Sequence, residues 1–167
     1  LPVPTSRLAV PRFPVPEAES VSSVSVKRVI DGDTLVVIAD GVDTTVRLIG
    51  VDTPETVDPR KPVQAYGEEA SHFLRNLLAG EEVLLEDSEG PDKLDKYGRR
   101  LCYVYRVPDG LFVNAEIVRQ GYGHAYTKYP FKFLEAFRQL EERARTSEKG
   151  LWGPQPFLER TGVPLAP

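Results

Sequence analysis

The sequence predicts an α+β domain, a small curled β-barrel of five strands with three flanking α-helices. Three observations carry that prediction. Residues 24–51 are rich in β-branched and apolar side chains, cut by Asp31-Gly32-Asp33 and Asp40-Gly41 turns into three short strands. A helical period then takes over, with Tyr66, Ala70, Phe73, Leu74, Leu77 and Leu78 on one face. Two further strand patterns, at 83–86 and 101–107, precede two more helical stretches.

Residues 1–20 hold Pro2, Pro4, Pro11, Pro14 and Pro16 without an amphipathic period and read as an extended tail. The folded domain is expected over 21–153. Strands at Val24 and Val26, at 34–38 and at 44–51 follow one another with short connections, which makes an antiparallel meander. The first helix is expected to stop at Gly80. The polar stretch 88–96 between the fourth and fifth strands reads as a mobile surface loop. Asn114 is placed to cap a short helix through Gln120, with Val113 and Val118 as a hydrophobic staple. The last helix is expected over 131–145, presenting Phe133, Phe137, Leu140 and Ala144. Residues 154–167, with Pro154, Pro156 and Pro164, read as a C-terminal tail.

Composition narrows the function classes. With 167 residues, 41% apolar and 28% charged, the chain can build one core unaided, and it is neither collagen-like nor wholly disordered. No apolar run is long enough to span a bilayer. Cys102 is the only cysteine, which excludes an intrachain disulfide and a zinc site of several thiolates; its place in a strand makes it a small buried side chain. Lysine and arginine number 21 against 25 acidic residues, a net charge of −4, so a polyanionic partner must be held locally instead of by long-range attraction. There is no methionine and the chain begins Leu1-Pro2-Val3, from which removal of an upstream piece is expected, as a cleaved export signal or by deliberate trimming.

Three segments carry candidate chemistry. Asp31-Gly32-Asp33-Thr34 sets two carboxylates on a tight turn, within reach of a hard cation. In Val46-Arg47-Leu48-Ile49-Gly50-Val51-Asp52-Thr53-Pro54-Glu55, an apolar strand carries one arginine on the face opposite Val46 and Leu48, then ends in an acidic turn that Pro54 stiffens. In Asp95-Lys96-Tyr97-Gly98-Arg99-Arg100, cationic side chains flank an aromatic at a strand entry, where arginine can fork onto phosphate. Taken singly, each has a plainer reading: a hairpin turn, a snorkelling arginine beside a solvated strand end, and a solvated loop.

Together these segments resemble the staphylococcal nuclease (thermonuclease) family, over the stretch from Val24 to Trp152. Weaker echoes are Tyr66-Gly67-Glu68-Glu69-Ala70-Ser71, Val113-Asn114, Val118-Arg119-Gln120-Gly121 and Leu151-Trp152. The resemblance implies an oligonucleotide-binding (OB) type of barrel and a calcium-dependent nuclease acting on DNA and RNA, with single strands favoured, 3′-phosphate products and a monomeric chain. By motif position it implies Asp33, Asp52 and the Thr53 carbonyl as calcium ligands, and Arg47, Glu55 and Arg99 as the catalytic trio. Lys96 and Tyr97 would contact nucleotide phosphate, and Tyr126, or else Tyr129, would stack on a base. A secreted or cell-envelope location belongs to the same set of expectations. The net acidity departs from the strongly basic character of the family's best-known member, which predicts weaker binding to long polymers. The competing function is a non-catalytic nucleic-acid- or protein-binding module, whose mark would be loss of the carboxylates or arginines; a third is a nucleotide-binding protein that cleaves nothing. Asp33, Arg47, Asp52, Glu55 and Arg99 are all present.

Overall fold

The computed structural model describes residues 13–17, 21–54 and 66–153. Five strands close a barrel: β1 (Ser22–Asp31), β2 (Thr34–Ala39), β3 (Val42–Leu48), β5 (Glu82–Asp87) and β6 (Arg100–Arg106), in the spatial order β1-β2-β3-β6-β5 with β5 returning to β1. All pairs are antiparallel except β3 with β6. Two register shifts in β1, after Val26 and after Val29, bend the strand and tighten its curl, which helps a sheet this small to close. Among the described residues three α-helices flank it: α1 (Gly67–Leu78), α2 (Val113–Arg119) and α3 (Leu134–Thr146). This is the α+β, OB-type barrel with three helices that the sequence predicts.

The meander is interrupted where the sequence predicts an unbroken strand over 44–51. Gly50 turns the chain at φ 79°, and a Cβ there would lie 2.6 Å from the Phe131 ring. The strand therefore ends at Leu48, and β4 (Val51–Asp52) leaves the barrel to pair with β7 (His124–Ala125) in a separate two-stranded sheet.

Asn114 also differs from its expected role. Phe112 occupies the N-cap of α2, so Asn114 lies inside the helix, fully buried. Its Oδ1 accepts the Val104 N–H at 2.9 Å, and its Nδ2 donates to the carbonyls of Ile49 and Cys102 at 2.9 and 3.1 Å. A cap satisfies helix N–H groups, whereas this amide ties β6 to the turn after β3, pairing the Val104 N–H and the Ile49 carbonyl and adding a second donor to the Cys102 carbonyl, which already accepts the Ile49 N–H.

The proline-rich segment contributes to the core as well. Phe13 meets Phe112, Phe133 and Phe137 edge-on, with ring centroids 4.9, 5.1 and 5.9 Å apart. The stretch 88–96, expected to be mobile, is pinned instead. Glu89 accepts the Tyr103 hydroxyl at 2.8 Å and the Lys132 N–H at 3.0 Å, and Leu101 N–H reaches the Lys93 carbonyl at 2.9 Å. Cys102 is fully buried, which pushes its thiol up to about 12.

Asn114→Ala strands the Val104 N–H and the Ile49 carbonyl, while the Cys102 carbonyl keeps the Ile49 N–H, and is expected to cost about 3 kcal/mol in urea unfolding. Phe13→Ala removes one ring from a partly open cluster and is expected to cost about 2 kcal/mol in the same measurement.

Candidate functional site

The β2–β3 register sets Thr34 opposite Arg47, which brings the β1–β2 turn to the end of β3. Leu48 N–H donates to the Asp33 carbonyl at 3.0 Å and ties the two together. Gly32 gives the turn its clearance: a Cβ there would lie 2.7 Å from the Ala70 Cβ and 2.9 Å from Thr53 Oγ1. Helix α1 and residue 53 thus close directly over the turn. The Asp33 carboxylate is buried and accepts the Thr53 N–H at 3.0 Å and the Thr34 hydroxyl at 2.8 Å.

Arg47 is held from behind. Its Nη1 donates to the carbonyls of Leu48 at 2.8 Å and Val51 at 2.7 Å, capping the chain reversal at Gly50. Its Nη2 lies 3.4 Å from Asp33 Oδ2 and 3.7 Å from Asp52 Oδ1. One guanidinium therefore stands between two carboxylates from different elements. Asp52 sits on β4 opposite His124, and Tyr126 N–H donates to the Gly50 carbonyl at 2.8 Å, so β7 braces the acidic corner.

The electrostatics of this corner are unbalanced. Partial burial raises the Asp52 carboxyl above its ordinary value, and the charge on Asp33 raises it further, more than Arg47 lowers it. Two carboxylates against one guanidinium leave the corner one charge negative, and a phosphodiester would be repelled from it. A divalent cation would reverse that sign. The donor set fits a hard ion such as calcium: carboxylate oxygens at Asp33 and Asp52 and the backbone at Thr53, whose buried hydroxyl has no hydrogen-bond partner among the described residues. Among those residues no group of three or more His, Cys, Asp or Glu side chains converges, so further ligands would come from backbone oxygen, water or substrate.

Lys96, Tyr97 and Arg99 share the loop before β6. The parallel register pairs Arg47 with Leu101, and Arg99 lies two residues before Leu101, just outside β6 in the loop that leads into it. Arg99 Nε donates to Asp95 Oδ2 at 2.7 Å, and its Cζ lies 5.1 Å from the centre of the Tyr97 ring. Lys96 Nζ lies at the same distance from that ring, and Tyr97 is 70% exposed, an aromatic face open to a ligand. Tyr126 lies beside Tyr129, ring centroids 6.2 Å apart, while Tyr122 stacks on Phe73 at 4.1 Å as a packing residue. Glu55 falls outside the described residues.

Asp95 and Glu141 are the supporting residues that sequence reasoning missed. Asp95 carries a local signal, an Asp four residues before an arginine across a Tyr-Gly turn. Glu141 carries none: it reaches from α3 to accept the Ala125 N–H at 3.0 Å, a contact between residues sixteen apart. Partial burial pushes the Asp95 carboxyl up, but hydrogen bonds from Arg99 and Tyr97 outweigh it and hold the group below its ordinary value of 3.8. Its contribution to the loop is thus present above the unfolded value and lost as pH falls through the lower folded one.

Comparison with known proteins gives a consistent answer. The family model described as staphylococcal nuclease homologue matches residues 45–154. A thermonuclease of Staphylococcus intermedius is 44% identical over 131 residues, 78% of this chain and 76% of that protein. A thermonuclease of Staphylococcus hyicus is 41% identical over 126 residues, covering 75% and 72% of the two chains. Endonuclease YncB of Bacillus subtilis is 39% identical over 142 residues, covering 84% and 66%.

In an acid titration followed by NMR, the Arg99 Nε–H resonance is expected to keep its bonded shift until the pH is below the ordinary carboxylate value. Loss of that shift at or above 3.8 would contradict the Asp95 pairing.

Proposed function

The chain belongs to the staphylococcal nuclease family, and from that premise we propose that it is a calcium-dependent nuclease whose reaction runs at the corner shared by Arg47, Asp33 and Asp52. It is a phosphodiesterase acting on nucleic acid. The finer reading has it cleave DNA and RNA as a monomer, prefer single strands and leave 3′-phosphates. A secreted or cell-envelope location goes with that reading; no described helix is long and apolar enough to cross a membrane. The observation that carries the proposal is Arg47, locked by two carbonyls yet facing two carboxylates.

Asp33, Asp52 and the Thr53 carbonyl would hold the ion. When bound, calcium supplies a hard positive charge that offsets the anionic phosphodiester. Arg47, with Nη1 committed to the backbone, has its Nε and Nη2 edge to offer the non-bridging oxygens, where charge grows as the five-coordinate phosphorus forms. Arg99 forks onto the same phosphate from the β6 side. Because those bonds strengthen as charge develops, both arginines act most in the transition state. Glu55 orients the attacking water or takes its proton. The new P–O bond forms as the bond to the 5′ oxygen breaks, which leaves phosphate on the 3′ side and a hydroxyl on the 5′ side. A guanidinium keeps its proton, so Arg99 contributes charge and the leaving oxygen draws its proton from water. Lys96 and Tyr97 contact the neighbouring phosphate, and Tyr126 offers a ring to a base.

Cleavage of a single-stranded DNA oligonucleotide is expected with calcium and not with chelator; absence of calcium-stimulated cleavage at neutral and alkaline pH would leave only the two non-catalytic readings. Calcium is also expected to raise the melting temperature by about 2–4 °C for each kcal/mol of linked binding, and Asp33→Asn and Asp52→Asn to abolish that rise. In chelator, Asp52→Asn should melt no lower than the parent, because it removes a like charge. Glu55→Gln is expected to lower turnover roughly 100-fold while sparing nucleotide binding.

A further inference from the structure

We propose that Asp95 is a positioning residue for Arg99, fixing the guanidinium so that its outer edge faces phosphate; this rests on the reading of Arg99 as a catalytic group. The carboxylate does two jobs at once. Oδ1 accepts the backbone N–H groups of Tyr97 and Arg99, both at 2.9 Å, while Oδ2 accepts Arg99 Nε at 2.7 Å. Backbone bonds from Asp95 N–H to the Arg99 carbonyl at 2.8 Å, and from Gly98 N–H to the Asp95 carbonyl at 3.0 Å, close the loop around it. The residue that shapes the turn is thus the one that aims its cationic side chain.

The contacts divide the guanidinium into two edges. Nε is spent on Asp95, and the Tyr97 ring lies 5.1 Å from Cζ. The two terminal amino groups are left for the parallel bonds by which arginine grips a phosphate. Asp95 is the more enclosed partner, its side chain 16% exposed against 30% for Arg99. A mobile surface ion pair contributes little to stability, whereas this carboxylate, held by three directed bonds, fixes direction.

Orientation also has an opposing effect. A carboxylate next to Arg99 repels the incoming phosphate, so it weakens ground-state attraction while improving alignment. Removing the carboxylate charge should therefore lower kcat without raising KM. Asn is the informative replacement because its single oxygen can serve either the turn N–H groups or Arg99, and its amide nitrogen cannot accept from Nε.

The test is steady-state cleavage of a short single-stranded DNA oligonucleotide in calcium by the parent, Asp95→Asn, Arg99→Ala and the double variant. Asp95→Asn is expected to lose roughly tenfold in kcat, with KM unchanged or lower and the melting temperature within about 2 °C of the parent. In the Arg99→Ala background the same substitution should cost nothing further. Should Asp95→Asn melt outside that range, Asp95→Ser, which keeps a turn acceptor without the carboxylate, replaces it in the same cycle. Parental kcat in the Asp95 variant, or an equal loss with and without Arg99, overturns the proposal. Parental cleavage by Arg99→Ala would instead reject the catalytic reading of Arg99 on which it rests.

Discussion

The two bonds from Arg47 Nη1 to the Leu48 and Val51 carbonyls join the backbone to the chemistry of this molecule. A strand that ends in a reversal exposes carbonyls with no ladder partner, and a buried unpaired carbonyl is costly. Arg47 answers that need with its own side chain, and in doing so loses the rotameric freedom that a surface arginine would keep. The same bonds that finish β3 therefore hold a guanidinium between Asp33 and Asp52 before any substrate arrives. Preorganisation is built into the fold, since moving Arg47 away would unsatisfy the turn.

Net acidity becomes less puzzling on this view. A chain with charge −4 gains little from long-range attraction to a polyanion, and its acidic corner alone would repel one. On the proposed reading, attraction would be concentrated instead in a few groups: Arg47 at the corner, and Lys96, Tyr97 and Arg99 in the loop before β6. Such an arrangement would grip one or two phosphates locally instead of coating a long strand, and a bound cation would change the sign of the corner.

Much of this could be read from the sequence because period and turn chemistry are local. The barrel strands, the helices and the Asp31-Gly32-Asp33 turn follow from spacing, whereas the expectation that Asp33 and Asp52 act together comes from the resemblance to the staphylococcal nuclease family. What escaped depends on contacts between distant residues. Gly50 looks like any strand-end glycine until Phe131 stands against it. Asn114 reads as a cap because capping is the commonest local use of asparagine, whereas its actual partners lie on β6 and in the turn after β3, 10 to 65 residues away. Phe13 sits among prolines that mark a tail, and only the assembled core offers it a cluster of rings.

The acidic corner is braced from several sides because it opposes itself. Asp52 is disfavoured as an anion by burial and by Asp33, so β4 has an electrostatic reason to move away from the β1–β2 turn, while His124 opposite it on β7 favours the anion. Three contacts from elsewhere resist that separation. Asn114 holds the Ile49 carbonyl, Tyr126 holds the Gly50 carbonyl, and Glu141 on α3 holds Ala125 directly opposite Val51. None of them touches a carboxylate at the corner, so each can add stability without altering the charge that a cation must find there. Strain at a site is kept where the surrounding fold over-determines the geometry. Here Asn114 on α2 and Glu141 on α3 supply restraint, while Asp33 in the β1–β2 turn and Asp52 on β4 supply the charge.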